Sequence, residues 1–194
     1  MSEFSYEIKI PKDRVAVLIG KNGATKKMLE RATNMKMDID SDEGDVFIKG
    51  SDALNLYQTR EIVIAIGRGF NPETALLLLK EEYIFEPLNL KEFMRNKNDL
   101  DRLRGRVIGR KGKSRKLIEE LTETYVSVYG KTISIIGEAE NVGIARRAIV
   151  SLLQGSPHGN VYNWLERQRR ELKRRQMLEM SGFRNPEHAQ KHGF

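Results

Sequence analysis

The 194-residue chain contains no cysteine, few aromatic residues and no long apolar segment. The absence of cysteine excludes disulfide bonds, zinc–thiolate sites and a cysteine nucleophile. The longest uninterrupted apolar runs, such as Ala75–Leu79, are far shorter than the ~20 residues that a membrane-spanning helix needs. The first residues show neither the basic region nor the apolar region of a secretory signal. Together these features predict a cytoplasmic protein without a membrane anchor.

Side chains placed for catalysis or metal binding are also scarce. The spacing pairs no acid with a base and sets no nucleophile beside a base. The acidic run Asp38–Asp45 fails the EF-hand frame, because its glycine and its twelfth position are wrong for calcium, and a solvated turn accounts for it better. The sequence therefore predicts no enzymatic activity, no catalytic residue, no metal site and no cofactor.

The formal net charge of +7 is concentrated in the second half of the chain. Residues 1–100 carry 15 Lys and Arg against 17 Asp and Glu, whereas residues 101–194 carry 19 against 10. A basic half beside a near-neutral half favours a polyanionic partner for the basic half. The basic segment Arg167–Arg175 is either a solvated helix face or a phosphate-binding arm, and the sequence leaves both interpretations open.

The most informative pattern is the motif Ile-Gly-x-x-Gly, which occurs at Ile19–Gly23 and again, 89 positions later, at Ile108–Gly112. Aligning Leu18–Glu30 with Val107–Glu119 gives five identities and six conservative replacements in 13 positions. One such motif is a weak signal because glycine is common. A repeat of this length indicates two copies of one folding unit.

Hydrophobic periodicity predicts the order strand, helix, turn, helix, strand, strand, helix in both halves. The predicted strands cover 6–10, 35–40, 46–49, 84–90, 125–129 and 133–136, and predicted helices cover 11–19, 24–32, 114–124 and 140–153. Two further helices are predicted by their ends and caps: one through Ile66 that is capped by Ser51 or Asp52, and one through Ile108 that is capped by Asp99 or Asp101. A short apolar helix over 72–83 is expected to pack one unit against the other. The first unit is predicted to cover residues 1–80 and the second unit residues 81–156. The remaining segment, 157–194, is predicted to contain a basic helix over 161–180 and a flexible tail.

Both glycine motifs have the chemistry of a phosphate-binding turn. Glycine lacks a Cβ atom, so a sugar-phosphate backbone can approach closely, and the following helix directs its N–H groups and positive dipole end there. Aliphatic residues of the preceding helix and the following strand are expected to form a groove for unpaired bases. The predicted RNA-binding residues are Ile19, Gly20, Lys21, Asn22, Gly23, Lys26, Met37, Ile39, Arg104, Arg106, Ile108, Gly109, Arg110, Lys111, Gly112, Lys113, Val126 and Val128.

The residue pattern taken alone is also consistent with three simpler roles. The apolar members are equally consistent with ordinary core packing. The glycines could form a plain connection between two helices. A nucleotide phosphate could also bind at such a loop, although neither copy is a Walker loop and no Gly-x-Gly-x-x-Gly follows a strand.

The chain resembles one known family. The segments Ile8–Gly23, Arg106–Lys113, Ile133–Gly137, Ala145–Ile149 and Gly155–Tyr162 are similar to the archaeal KH-domain ribosome-biogenesis proteins, counterparts of the eukaryotic partner-of-Nob-one protein and relatives of the KRR proteins. The resemblance implies an α+β fold of two tandem type I KH domains and a C-terminal helix. Each domain would have the order β-α-α-β-β-α, with a three-stranded antiparallel sheet against three helices.

The resemblance also implies a function in RNA binding. A KH domain clamps about four nucleotides of single-stranded RNA with its Gly-x-x-Gly loop. The family implies binding near the 3′ end of small-subunit rRNA, with the rRNA-processing endonuclease Nob and other ribosome-assembly or translation factors as protein partners. Eukaryotic members tend to have a degenerate first loop, whereas both loops are intact here.

Two different functions compete with this expectation. The first is a KH protein of another RNA pathway, such as the exosome or mRNA regulation. The second is a protein-binding scaffold in which the near-neutral first KH domain binds a partner.

Overall fold

The computed structural model describes residues 4–96 and 98–180. The first module contains β1 Phe4–Lys9, α1 Lys12–Ile19, α2 Ala24–Thr33, β2 Lys36–Ile39, β3 Asp45–Gly50 and α3 Ala53–Gly67. A one-turn helix, α4 Pro72–Ala75, and a 3₁₀ turn, Leu76–Leu79, lead into the second module. The second module contains β4 Tyr83–Asn89, α5 Asp99–Ile108, α6 Lys113–Thr122, β5 Tyr125–Tyr129, β6 Thr132–Glu138 and α7 Ala139–Leu153, and α8 His158–Met180 follows. The tail predicted over 181–194 lies outside the described residues.

The two sheets share one topology, which confirms the predicted α+β fold. Both are antiparallel, with the strand orders β1–β3–β2 and β4–β6–β5, so the last strand of each module is central. Helices cover one face of each sheet, and the order within each module is the predicted β-α-α-β-β-α. Within the described residues, every helix is too short or too polar to span a bilayer.

Three of the predicted helices differ from the structure by two or more residues at one end. The helix predicted over 72–83 is only one α-helical turn, capped by Asn71, and one 3₁₀ turn, because the chain from Tyr83 onward pairs with β6 instead. The helix predicted to reach residue 124 ends at Thr122, since Glu123 adopts a left-handed conformation that stops it. Helix α8 begins at His158, directly after Pro157, and not at residue 161.

Helix α8 contributes to the core of the second module. Val161 and Leu165 of its first half are buried with Ile118 of α6 and Ile149 of α7. The basic segment, for which two interpretations were open, follows on this helix, where Arg169 and Leu172 are half-buried and most other side chains are exposed. The start of this helix is therefore part of the packed structure of the second module.

The identical glutamates that end the two aligned segments have the same structural role. Glu30 of α2 accepts a hydrogen bond from the Met37 backbone N–H over 2.9 Å, and Glu119 of α6 accepts one from the Val126 N–H over 2.8 Å. Each N–H belongs to the outer strand of its sheet and points away from the central strand. The glutamates thus satisfy backbone donors that the sheet itself leaves unpaired.

The two modules pack against each other through the second sheet. Ile136 of β6 is fully buried in the hydrophobic cluster of the first module, together with Ala75 and Leu78 of the connecting segment. Phe85 of β4 contacts Phe70 edge-on, with ring centroids 6.4 Å apart. The connecting segment therefore packs the two units together, as predicted, although it forms less helix than expected.

Two side-chain hydrogen bonds cross the same interface. Ser127 Oγ donates to the Arg68 carbonyl over 2.8 Å, and the Tyr129 hydroxyl donates to the Asp13 carboxylate, 2.6 and 2.7 Å from its two oxygens. Burial, followed by the hydrogen bond to Asp13, raises the pKa of Tyr129. The protonated phenol is therefore the form that the interface favours.

Replacing Glu119 should test the repeated glutamate contact. Glu119→Ala leaves the half-buried Val126 N–H without its acceptor, and we expect a loss of about 1–2 kcal/mol in the free energy of unfolding. Glu119→Gln keeps an oxygen acceptor and should cost less. Urea denaturation measures both, and Glu30→Ala and Glu30→Gln are the matched pair in the first module. Equal stability of the Ala and Gln variants would show that the hydrogen bond contributes nothing.

Tyr129→Phe should weaken the contact between the modules. The phenol is partly exposed, so we expect a loss of about 1 kcal/mol or less at neutral pH. Because the folded-state pKa is raised, the contribution is complete below the ordinary phenol pKa and is lost as the pH rises through the raised value. The stability difference between wild type and Tyr129→Phe should therefore shrink at alkaline pH. An unchanged difference up to complete ionisation of Tyr129 would contradict this coupling.

Candidate nucleic-acid interface

The two glycine turns have nearly the same backbone geometry. Gly20 and Gly109 both have φ 71° and ψ 175°, and Gly23 and Gly112 have φ values of 74° and 76°. A Cβ on Gly20 would lie 2.8 Å from the backbone nitrogen of Thr25, and one on Gly109 would lie 2.9 Å from that of Ser114. Any larger residue at the first glycine would thus collide with the start of the following helix.

The second glycine of each turn has a different role. At Gly23 and Gly112 no described atom lies within 4 Å of the position that a Cβ would take. These glycines are required by their positive φ, and their outer side is open to a ligand. The first glycine therefore closes the turn against the helix, and the second leaves room for a sugar-phosphate backbone.

The second of the two residues between the glycines has a strained backbone conformation. Asn22 has φ 54° and Lys111 has φ 53°, in the left-handed region. Asparagine tolerates this conformation, whereas for lysine it costs on the order of 1 kcal/mol. A strained, exposed lysine in the second turn is consistent with selection for its charge at that point.

The second turn is the more basic of the two. Arg110, Lys111 and Lys113 are exposed, and none of them forms an ion pair with any described residue. At the matching positions the first turn has Lys21, Asn22 and Ala24. Lys26 of the first module is half-buried on α2. Of the two turns, the second therefore presents more exposed and unpaired cations.

Arg106 links the helix before the second turn to the end of α7. Its Nε donates to the Leu152 carbonyl over 2.6 Å and its Nη2 to the Ser156 carbonyl over 2.7 Å, at the end of α7. Arg14 makes the equivalent contacts to the Ile66 and Phe70 carbonyls at the end of α3. Each arginine fastens the first helix of its module to the carboxyl end of the last helix. This role was not predicted, because the partners are about 50 residues away.

The other arginine predicted in this region also has a protein contact. Arg104 lies half-buried on α5, with its Nη1 3.7 Å from the Asp101 carboxylate. Its Nε is buried without a partner among the described residues. The charge of Arg104 is therefore partly neutralised before any RNA approaches.

The predicted groove walls divide into exposed and buried residues. Ile19 and Ile39 in the first module are half-buried, as are Ile108 and Val128 in the second, so part of each side chain remains accessible. The side chains of the other two, Met37 and Val126, are only 3% and 2% exposed and belong to the cores. Val126 supports the groove from within, whereas the small exposed part of Met37 lines an open cleft between α2 and β2.

The first module has an open cleft of about 720 Å³ between α2 and β2. Its lining includes Lys27 and Arg31 from α2, and Lys36, Phe47 and Lys49 from the sheet. The sheet residues of this lining were not predicted, because cleft formation depends on the pairing of β2 with β3. In the second module, Arg115 of α6 lies across the equivalent position, with its Nη1 3.5 Å from the Val126 carbonyl.

Comparison with known families matches both modules. Residues 84–170 match the family model described as eukaryotic type KH-domain, KH-domain type I, and residues 5–65 match the model for the KH domain. A KH domain-containing protein of Methanocaldococcus jannaschii is 50% identical over 171 residues, which cover 86% of this chain and 75% of that protein. The pre-rRNA-processing protein pno1 of Aspergillus fumigatus is 36% identical over 129 residues, which cover 64% of this chain and 51% of that protein.

Solved structures give the same result. Dim2p from Pyrococcus horikoshii OT3 is 50% identical, with a TM-score of 0.80 over 84% of this chain and 99% of that one. The matching chain in the a/eIF2alpha–aDim2p–rRNA complex from the same organism is 48% identical, with a TM-score of 0.82 over 87% of this chain and 96% of the solved chain. The chain belongs to the family of tandem type I KH-domain proteins that includes archaeal Dim2 and eukaryotic PNO1.

Proposed function

We propose that this protein binds single-stranded RNA, specifically the 3′-end region of small-subunit rRNA, during ribosome maturation. The observation that carries the proposal is the pair of nearly identical glycine turns, each followed by a helix without a described side-chain cap at its amino end. Such a helix start provides backbone N–H groups and a positive dipole end for a phosphate. An open second glycine lets the RNA backbone reach these donors.

The relatives support rRNA as the target. One solved relative is in a complex with rRNA, and the fungal relatives are named for pre-rRNA processing. These names favour ribosome maturation over the exosome, mRNA regulation or a purely protein-binding scaffold. The chain spans about half the length of the eukaryotic relatives it matches, so their whole activity is part of the proposal.

We also propose two kinds of protein partner. The solved relative is bound to a/eIF2alpha as well as to rRNA, which supports a translation factor as a partner. The endonuclease Nob is proposed because a protein bound near an rRNA 3′ end lies beside the site of its maturation. We assign the leading RNA contact to the second module, because its turn carries the unpaired cations Arg110, Lys111 and Lys113.

The first expected outcome concerns the form of the RNA. The groove beside each turn holds unpaired bases, so we expect single-stranded RNA to bind about tenfold or more tighter than a duplex of the same sequence, given what base contacts contribute. Fluorescence anisotropy at one fixed salt concentration measures this ratio. Equal affinity for the duplex would indicate a merely electrostatic surface.

The second expected outcome concerns the two turns. The double variant Arg110→Asp with Lys111→Asp keeps both glycines, and Asp tolerates the left-handed conformation of residue 111. We expect a large loss of RNA affinity and a salt dependence shallower by about 0.7 per lost phosphate contact. The matched variant Lys21→Asp with Asn22→Asp should lose less, and circular dichroism checks that both fold. An equal loss in both variants would show that the modules share the RNA equally.

A further inference from the structure

A second cleft of about 450 Å³ lies beside the second glycine turn, on the side of helix α8. One wall holds four cations, Arg102, Arg106, Arg110 and Lys113, and the other holds His158 and Tyr162 of α8. No acidic residue in the described part of the chain lines it, and no lining residue comes from β5. The cleft is therefore separate from the groove between α6 and β5.

The inner surface of this cleft contains an unsatisfied hydroxyl group. Ser114, the second residue of α6, lines the cleft and is 2% exposed. Its Oγ has no hydrogen-bond partner among residues 4–96 and 98–180. A buried hydroxyl without a partner is unfavourable, so this one is suited to a ligand that accepts a hydrogen bond.

The cations divide into two that are held in place and two that can move. The Arg102 guanidinium is held by Asp99, with Nε and Nη2 3.1 and 3.0 Å from Oδ1. Hydrogen bonds to Asp99, the largest from the Arg95 N–H, lower the pKa of that carboxyl and keep it ionised, so the pair orients Arg102 and also offsets part of its charge. Arg106 is held by the carbonyls at the end of α7. Arg110 and Lys113 are exposed and can adjust to a bound anion.

The α8 wall is also fixed relative to the turn. His158 Nε2 lies 2.8 Å from the Arg106 carbonyl oxygen, which can only accept, so this nitrogen carries the proton. The His158 and Tyr162 rings meet edge-on, with centroids 5.9 Å apart. The cleft thus combines cations and a hydroxyl on one side with two aromatic rings on the other, which suits a nucleotide.

We propose that this cleft binds the phosphate of a flanking nucleotide, on the same RNA strand that the second turn and its groove hold. The inference rests on the proposed function and extends the RNA contact beyond the four nucleotides of one KH groove. An RNA phosphodiester is favoured over a free anion because Gly109 and Arg110 line both the cleft and the turn. A strand that leaves the turn on this side meets the cleft next.

Two substitutions in the full-length chain test the assignment. Ser114→Ala removes only the unpaired hydroxyl, so a purely structural role predicts unchanged folding and unchanged RNA affinity. Arg102→Gln removes a charge that the turn and groove do not use. Ser134→Ala is the matched control, since Ser134 Oγ is also buried and unpartnered among the described residues but lies in β6, outside the cleft.

The probes are tetranucleotides and hexanucleotides that tile the last nucleotides of small-subunit rRNA. We expect hexanucleotides extended on one side to bind wild type and Ser134→Ala more tightly than the tetranucleotide. The variants Ser114→Ala and Arg102→Gln should each bind these hexanucleotides about tenfold more weakly than wild type, which is the effect of losing one hydrogen bond to a charged group. Arg102→Gln should also have a salt slope shallower by about 0.7, and tetranucleotide affinity should not change.

The possible outcomes distinguish a failure of this inference from a failure of the proposed function on which it rests. If both variants bind the hexanucleotides as wild type does, the cleft does not contact RNA and the inference is overturned. If inorganic phosphate binds wild type but not Ser114→Ala while RNA affinity is unaffected, the cleft holds a free anion and the RNA assignment fails. If no tetranucleotide binds wild type, the proposed function itself is contradicted.

Discussion

The packing of the second sheet against the first module is the contact on which the arrangement of the whole chain depends. Ile136 is fully buried in the first hydrophobic cluster, and burying a side chain of this size contributes about 1.5–3 kcal/mol. The second sheet is therefore covered on both faces, by its own helices and by the first module. Because each glycine turn is built into its module, this contact also fixes the two turns relative to each other. The distance between the two turns is therefore fixed for an RNA strand that contacts both.

Much of the site could be predicted because it is local. Each turn consists of two helices joined by four residues, and the repeat placed Gly20 and Gly109 in the same conformation. The fold class followed from the periodicity of short segments, which depends on which residues are neighbours along a strand or helix. The repeat also showed that Glu30 and Glu119 are identical. It could not show why, because the N–H that each glutamate binds depends on the direction in which a strand edge faces.

The features that the sequence did not predict involve contacts between residues far apart in the chain. Arg106 contacts the end of α7, and His158 contacts the Arg106 carbonyl, across roughly 50 residues. Arg106 was predicted to bind RNA directly, and the structure shows it holding two helices together beside the turn. The burial of Met37 and Val126 depends on the register of the strands against the helices. The helix predicted over 72–83 was too long because the local apolar run gives no sign that the chain after it joins a sheet.

The glutamates on the outer strands have a consequence for the behaviour of the protein in a crowded cell. A free strand edge with unpaired N–H groups can recruit a strand from another molecule and start aggregation. Glu30 and Glu119 occupy one outward donor on each edge and place a carboxylate there. A foreign strand would have to displace this carboxylate and bury its charge in order to pair. The same contact that completes each module therefore opposes the addition of a foreign strand along β2 or β5.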